Sequence, residues 1–158
     1  MFQNREGLVL IKDYIETVTI IDNTESEVEG LKKKFERNHI LYEYFHPNKF
    51  AGSYFKLKNR KLIFLDLYLN DGAAQDASSQ IASIRNYFKK IIGKEFGTYG
   101  IVLWSKHVKE IEIFKEKISQ DFNSYTLPIF VVGLDKTKYI TNGFNDIFND
   151  IELELTNN

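Results

Sequence analysis

The chain has 158 residues, of which 43% are hydrophobic, with a net charge of −1 and no cysteine. This length fits one domain with a sizeable core. The near-zero net charge gives no overall attraction to nucleic acid or anionic membranes. The lack of cysteine excludes disulfides, thiolate metal sites and a cysteine nucleophile. No apolar run approaches the ~20 residues that span a bilayer, and the N-terminus lacks the pattern of a signal peptide, so we expect a cytoplasmic protein.

The first predicted element is an amphipathic helix at the N-terminus. Over residues 4–17, Leu8, Ile11 and Ile15 recur at helical spacing. A β-branched strand pattern follows directly, so this helix is expected to precede the main domain. We therefore divide the chain into a helical extension, residues 1–17, and a main domain, residues 18–158.

The next three elements are a strand, a helix and a second strand. The β-branched run at residues 18–21 predicts a strand buried in a parallel sheet. Thr24 and Glu27 have the spacing of a capping box, which predicts a helix over residues 25–37. A second strand is predicted at residues 40–45.

The second half of the chain continues the alternation. Residues 62–65 are wholly apolar and run into Asp66, which predicts the central strand. A helix over residues 78–92, a strand at 101–104 and a helix over 107–119 follow. The last two predicted elements are a strand at residues 128–134 and a helix at 142–155.

Five buried strands that alternate with helices predict an α/β fold with a parallel sheet covered on both faces. Right-handed crossovers leave few topologies, and the flavodoxin-like strand order 2-1-3-4-5 is common for five strands. We therefore predict a three-layer sandwich with this order.

Polar residues stand at the carboxyl ends of these strands, where ligands bind in open parallel sheets. The predicted strand order brings four of these ends side by side. Carboxylates beside an amide can hold Mg²⁺, a carboxylate is a nucleophile toward phosphorus, and a hydroxyl and an ammonium can bind phosphoryl oxygens. The residues concerned are Asp22, Asn23, Asp66, Ser105 and Lys136.

The segments that carry these residues resemble the motifs of receiver domains of two-component response regulators. The resemblance extends over about residues 18–155, and the strings FLDL and LWSKH look like those of a divergent bacterial branch. It implies a CheY-like fold in which Asp66 accepts a phosphoryl group from a partner kinase and Asp22 helps to hold Mg²⁺. It also implies that Ser105 switches on phosphorylation and that Lys136 pairs with the acyl phosphate.

The chain also departs from the family pattern. Asn23 stands where the family has a second acid, which should weaken Mg²⁺ binding, and Glu25 is the nearby candidate to compensate. Gly133 replaces an aromatic residue and Thr137 replaces a proline. These departures put the family's switching mechanism in doubt more than its fold.

Other interpretations stay open for the same residues. Asp22 and Asn23 could cap the following helix, Asp66 could cap a loop, and Lys138 is the alternative to Lys136. At the level of the whole chain, one alternative is a degenerate receiver that docks a partner protein without phosphorylation. A haloacid-dehalogenase-like phosphohydrolase is disfavoured, because that chemistry needs an acid at the position of Tyr68.

We therefore expect a regulatory domain rather than an enzyme, with at most phosphotransfer to itself. Its expected partners are proteins, namely a kinase or an output domain. Direct contact with nucleic acid or a membrane is not expected, and dimerisation through the last helices stays open.

Overall fold

The computed structural model of the chain describes residues 3–4, 7–8, 15–46, 62–67, 79, 82, 99–121 and 128–157. Near the N-terminus, strands β1 (Gln3–Asn4) and β2 (Gly7–Leu8) pair antiparallel. The predicted N-terminal helix is therefore wrong at residues 4, 7–8 and 15–17, and its residues 5–6 and 9–14 lie outside the described part. Gly7 offers a physical reason, since glycine disfavours a helix by about 1 kcal/mol relative to alanine.

A five-stranded parallel sheet forms the centre of the domain. Its order is 2-1-3-4-5 when these five strands are numbered along the chain, which confirms the predicted topology. The three inner strands are each paired on both edges, and every residue of the third and fourth strands in space is buried, as in a parallel sheet covered on both faces. The strands are β3 (Thr17–Ile21), β4 (Leu41–Phe45), β5 (Leu62–Leu65), β6 (Gly100–Ser105) and β7 (Phe130–Asp135).

Helices cover the sheet, and the first two confirm the predictions made for them. The helix predicted over residues 25–37 has those bounds, and the one predicted over 107–119 is shifted by one to two residues. Of the predicted helix over residues 78–92, Ser79 and Ala82 are described and both are helical. The helices with described bounds are α1 (Glu25–Arg37), α2 (Val108–Asp121), α3 (Lys136–Asn142) and α4 (Ile147–Thr156).

The C-terminal region differs from the prediction of one helix over residues 142–155. The chain turns directly from β7 into α3, because the Asp135 carboxylate accepts a hydrogen bond of 3.0 Å from Thr137 N and caps the new helix. Gly143, with a φ of 93°, ends α3, and α4 then begins at Ile147. Lys136 is consequently the first residue of a helix rather than part of a loop.

The predicted capping box at the start of α1 is wrong. Thr24 is the N-cap residue, but its side chain makes no capping hydrogen bond. Its hydroxyl donates instead to Asn23 Oδ1 at 3.2 Å. The Glu27 side chain is therefore available for contacts elsewhere.

The core lies on both faces of the sheet. On one face, α1 and α4 pack on alternate strand residues, and Phe64 makes edge-to-face contacts with Phe35 and Trp104 at centroid distances of 5.5 and 6.0 Å. On the other face, Ile111 of α2 packs against Gly133 of β7. None of the helices in the described part of the chain has the length and apolar character needed to span a bilayer.

Candidate functional site

The carboxylates of Asp22 and Asp66 lie beside each other at the carboxyl edge of the sheet. β3 and β5 are neighbours, and each acid directly follows its strand. The backbone ladder continues past the strand ends, since Asp66 N donates to Ile21 O at 2.9 Å and Asp22 N donates to Phe45 O at 3.2 Å. The backbone of both acids is thus fixed by the sheet rather than by a loop.

The ammonium of Lys136 lies between three carboxylates. Its Nζ is 2.6 Å from Asp22 Oδ2, 2.9 Å from Glu27 Oε1 and 3.5 Å from Asp66 Oδ2. The lysine is only 1% exposed and Asp22 is fully buried, so these charges are tolerated because they neutralise one another. We call these four residues the carboxylate–lysine cluster.

Trp104 forms the apolar wall of this cluster. The Lys136 ammonium lies 4.9 Å from the centroid of the Trp104 ring, a distance at which a cation and an aromatic face attract each other. Trp104 is fully buried. It is a core residue that also contacts the site.

Asp22 combines a structural and a cluster role. Its Oδ1 accepts a hydrogen bond of 2.8 Å from Thr24 N, which stabilises the turn before α1. The Tyr44 hydroxyl donates to the Asp22 carbonyl at 2.7 Å. With Oδ1 used by the turn, Oδ2 faces Lys136.

Glu27 belongs to the cluster, although the sequence analysis assigned it to a capping box. Its Oε1 pairs with Lys136 and its Oε2 with Lys106, on the loop between β6 and α2. The Glu27 side chain is 16% exposed and that of Lys106 is 53% exposed. The ion pairs therefore run from the buried lysine toward the solvent. The available signal was that α1 follows β3, so its first turn lies at the same edge of the sheet as Asp22.

The other predicted site residues make different contacts in the described part of the chain. Ser105 is buried, and its Oγ accepts a hydrogen bond of 2.9 Å from His107 N. Asn23 Oδ1 accepts from the Thr24 hydroxyl. Glu25, the candidate to replace the missing acid, pairs with Lys32 at 3.1 Å and its side chain is 59% exposed. The structure therefore brings Asp22, Asp66 and Lys136 together, whereas Glu25 pairs with the mostly buried Lys32.

The charges of the cluster are unequally balanced. Burial and then the neighbouring Asp22 raise the pKa of Asp66 to about 8, although Lys136 opposes this shift. Burial would raise the pKa of Glu27 as well, but hydrogen bonds from Lys106 and Lys136 hold it below its ordinary value. Burial alone would lower the pKa of Lys136, but the charges on Asp66 and Asp22 raise it overall. Glu27 is thus ionised at neutral pH, whereas the negative charge of Asp66 is the one that the neighbouring lysines offset least.

The cluster offers a divalent cation two buried carboxylates, Asp22 and Asp66. Carboxylate oxygens are the ligands that Mg²⁺ prefers, and this ion commonly binds one or two of them and completes its shell with water or phosphate oxygens. No three His, Cys, Asp or Glu side chains within the described residues are arranged to hold a metal by themselves. The residues present therefore fit a site that solvent or a phosphoryl group completes.

Comparison with known proteins gives structural similarity only. No protein-family model matches the chain, and no curated protein matches it either. Among solved structures, a CheY-like response regulator receiver domain from Methylobacillus flagellatus is 15% identical, with a TM-score of 0.45 over 87% of this chain and 98% of that one. A response regulator from Thermotoga maritima is 12% identical, with a TM-score of 0.48 over 90% of this chain and 98% of that one.

A third structure carries a modified site. It is a response regulator protein from Burkholderia pseudomallei with a phosphorylated aspartic acid, a calcium ion and citrate; it is 11% identical, with a TM-score of 0.45 over 90% of this chain and 75% of that one. Similarities of this size add no weight to an assignment of function. The fold rests on the chain's own strand order, which is that of flavodoxin-like folds, a class that includes both flavodoxin and CheY.

Proposed function

We propose that this chain is a signal-receiver regulatory domain that accepts a phosphoryl group at Asp66 in the presence of Mg²⁺. The observation that carries the proposal is the burial of Lys136 among Asp22, Glu27 and Asp66 at the carboxyl edge of the sheet. An ammonium in this position can pair with a phosphoryl group on Asp66. The added charge would then change contacts with a partner protein, a kinase or an output domain, or with a second copy of the chain.

The proposed reaction is a transfer without net hydrolysis. An oxygen of the ionised Asp66 carboxylate forms a bond to phosphorus while the bond between phosphorus and the donor's leaving group breaks. The leaving group keeps the electron pair: acetate departs as the anion, and a more basic leaving group takes a proton from water. A divalent cation held by Asp22 and Asp66, with the Asn23 amide oxygen as a further candidate ligand, would offset the charge of the phosphoryl oxygens. Beyond this step no catalytic activity is proposed.

The second candidate is a degenerate receiver that docks a partner without phosphorylation. Two observations favour it. Glu27 already pairs with Lys136, and the raised pKa of Asp66, about 8, leaves this carboxyl mostly protonated at neutral pH in the absence of a metal. A protonated carboxyl is a poor nucleophile, so Mg²⁺ or a higher pH must first ionise it.

Intact-mass measurement after incubation with acetyl phosphate and Mg²⁺ separates the two candidates. The receiver predicts a mass increase of one phosphoryl group that Asp66→Asn abolishes and that the exposed control Asp146→Asn retains. We also expect the yield to rise with pH, because the reactive form of Asp66 is the ionised one, and Mg²⁺ should move this rise below the metal-free pKa of about 8 because it favours the carboxylate. A wild-type chain that gains no mass at any pH up to 9 with millimolar Mg²⁺ contradicts phosphoryl acceptance and leaves the docking module.

A further inference from the structure

We propose that Glu27 is an internal latch, a carboxylate that holds Lys136 away from Asp66 until a phosphoryl group at Asp66 displaces it. The inference rests on the proposed function and adds a residue to its site. Glu27 acts through Lys136 and is therefore a positioning residue rather than a catalytic one.

The contact lengths show how the ammonium is shared. Lys136 Nζ forms close ion pairs with Asp22 Oδ2 and Glu27 Oε1, at 2.6 and 2.9 Å, but its 3.5 Å separation from Asp66 Oδ2 exceeds the usual N–H···O range. A lysine ammonium has three protons to donate. The lysine is thus committed to the two carboxylates that do not react, and Asp66 receives the weakest contact.

Of the two carboxylates that hold Lys136, Glu27 is the one that can leave. Asp22 is fully buried, and its other oxygen is fixed by Thr24 N. Glu27 has a longer side chain on the first turn of α1, is 16% exposed, and already pairs on its other oxygen with the half-exposed Lys106. Rotation toward Lys106 and the solvent would release Lys136 without leaving the Glu27 charge buried and unpaired.

A phosphoryl group is a suitable competitor for this lysine. It brings up to two negative charges and three acceptor oxygens to the position next to Asp66, so it attracts the ammonium more strongly than one carboxylate does. Displacement of Glu27 would leave its carboxylate paired with Lys106 alone, which changes the contact between the start of α1 and the loop that carries Lys106. The latch therefore couples occupancy at Asp66 to the contact between these two segments.

The test measures binding of beryllofluoride with Mg²⁺, a phosphoryl mimic, by isothermal titration calorimetry. Glu27→Gln keeps the side chain's shape and removes the competing charge, so we expect about tenfold tighter binding than in the wild type, which corresponds to about 1.4 kcal/mol. Glu29→Gln is the matched control, because Glu29 lies on the same helix and pairs with the lysine Lys32 at 3.2 Å. Binding by the control should equal that of the wild type, and Glu27→Ala serves as a second latch variant.

A crystal structure of Glu27→Gln without beryllofluoride provides a readout that does not depend on phosphorylation. The latch predicts that Lys136 Nζ moves to hydrogen-bonding distance from Asp66. If the wild type binds the mimic and Glu27→Gln binds it no tighter, the latch is wrong while the proposed function stands. If no variant binds the mimic, the proposed function fails, and an unmoved Lys136 in the crystal structure then overturns the latch as well.

Discussion

Asp66 illustrates how one carboxyl can be both a weak point for stability and the focus of a site. Burial, and then the negative charge of the neighbouring Asp22, raise its pKa to about 8 although Lys136 opposes the shift. Residues with strongly shifted pKa values concentrate at functional sites. Function requires a charged group at such a position, although burying that charge lowers the stability of the fold. The same shift makes the stability of the protein depend on pH.

We expect Asp66→Asn to stabilise the protein at alkaline pH. The folded chain keeps a proton on Asp66 up to about pH 8, whereas the unfolded chain releases it near its ordinary pKa of 3.8, so the wild type's free energy of unfolding falls as pH rises through this window. The variant lacks that loss. It should exceed the wild type by about 1–3 kcal/mol near pH 9 and by much less near pH 5. Urea unfolding at both pH values is the measurement, and a pH-independent difference between the two proteins would contradict it.

Lys136→Met should destabilise the protein strongly at neutral pH. The substitution leaves Asp22 buried without its counter-charge, and removal of one partner from a buried ion pair costs about 3–5 kcal/mol. Lys138→Met is the matched control, since Lys138 pairs with Asp150 at 2.9 Å but is exposed. Denaturant unfolding should show a large loss for the first variant and little change for the second, whereas equal effects would argue against Lys136 as the centre of the cluster.

Sequence reasoning found Asp22, Asp66 and Lys136 because each directly follows a buried apolar strand, and parallel strands end at one edge. It did not find Glu27, since the Thr24–Glu27 spacing is that of a capping box and nothing local excludes that interpretation. The choice is made by tertiary structure: Lys136 offers Glu27 a buried ammonium, and the Thr24 N–H that a capping-box glutamate would bind already donates to Asp22 Oδ1.

At the scale of secondary-structure elements, Gly133 explains how α2 packs on the sheet. A Cβ atom at Gly133 would overlap the Ile111 side chain, so the helix approaches β7 through the space that a larger residue would fill. An aromatic residue at position 133 cannot be accommodated without moving α2. The glycine at position 133 is therefore explained by the close packing of α2 on β7.

Gly133→Ala should lower the free energy of unfolding by about 1–3 kcal/mol, the usual effect of overpacking. The cause is the overlap with Ile111, so the same substitution should cost much less in an Ile111→Ala background. Denaturant unfolding of the two single variants and the double variant gives the coupling free energy between positions 111 and 133. Additive effects would show that strain in the strand, rather than the contact with α2, limits this position.

α3 shows why short helices escape sequence analysis. It has seven residues, Lys136–Asn142, and includes β-branched Thr137, Ile140 and Thr141, which disfavour helix formation. The helix forms because Asp135 caps it and because the Tyr139 side chain packs in the core and donates to Asp150 at 2.6 Å. Only the cap is visible in the sequence, and a single Asp is a weak signal.

For the whole molecule, the alternation of strands and helices was enough to predict the sheet order, because handedness and short connections leave few topologies. Amphipathic spacing was not enough at the N-terminus. Residues 4, 7–8 and 15–17 are not helical although apolar residues recur at helical intervals. Ile15 is nonetheless 3% exposed and packs in the core. Its burial was predictable and its conformation was not.

The position of Trp104 gives the molecule a built-in optical probe. It is the sole tryptophan of the chain, so all tryptophan emission originates from an indole 4.9 Å from the Lys136 ammonium. Withdrawal of that charge from the ring should shift the intensity and wavelength of the emission. We expect a saturable change on titration with beryllofluoride and Mg²⁺ that Asp66→Asn eliminates. Stopped-flow recording of unlabelled protein could then time the release of the lysine.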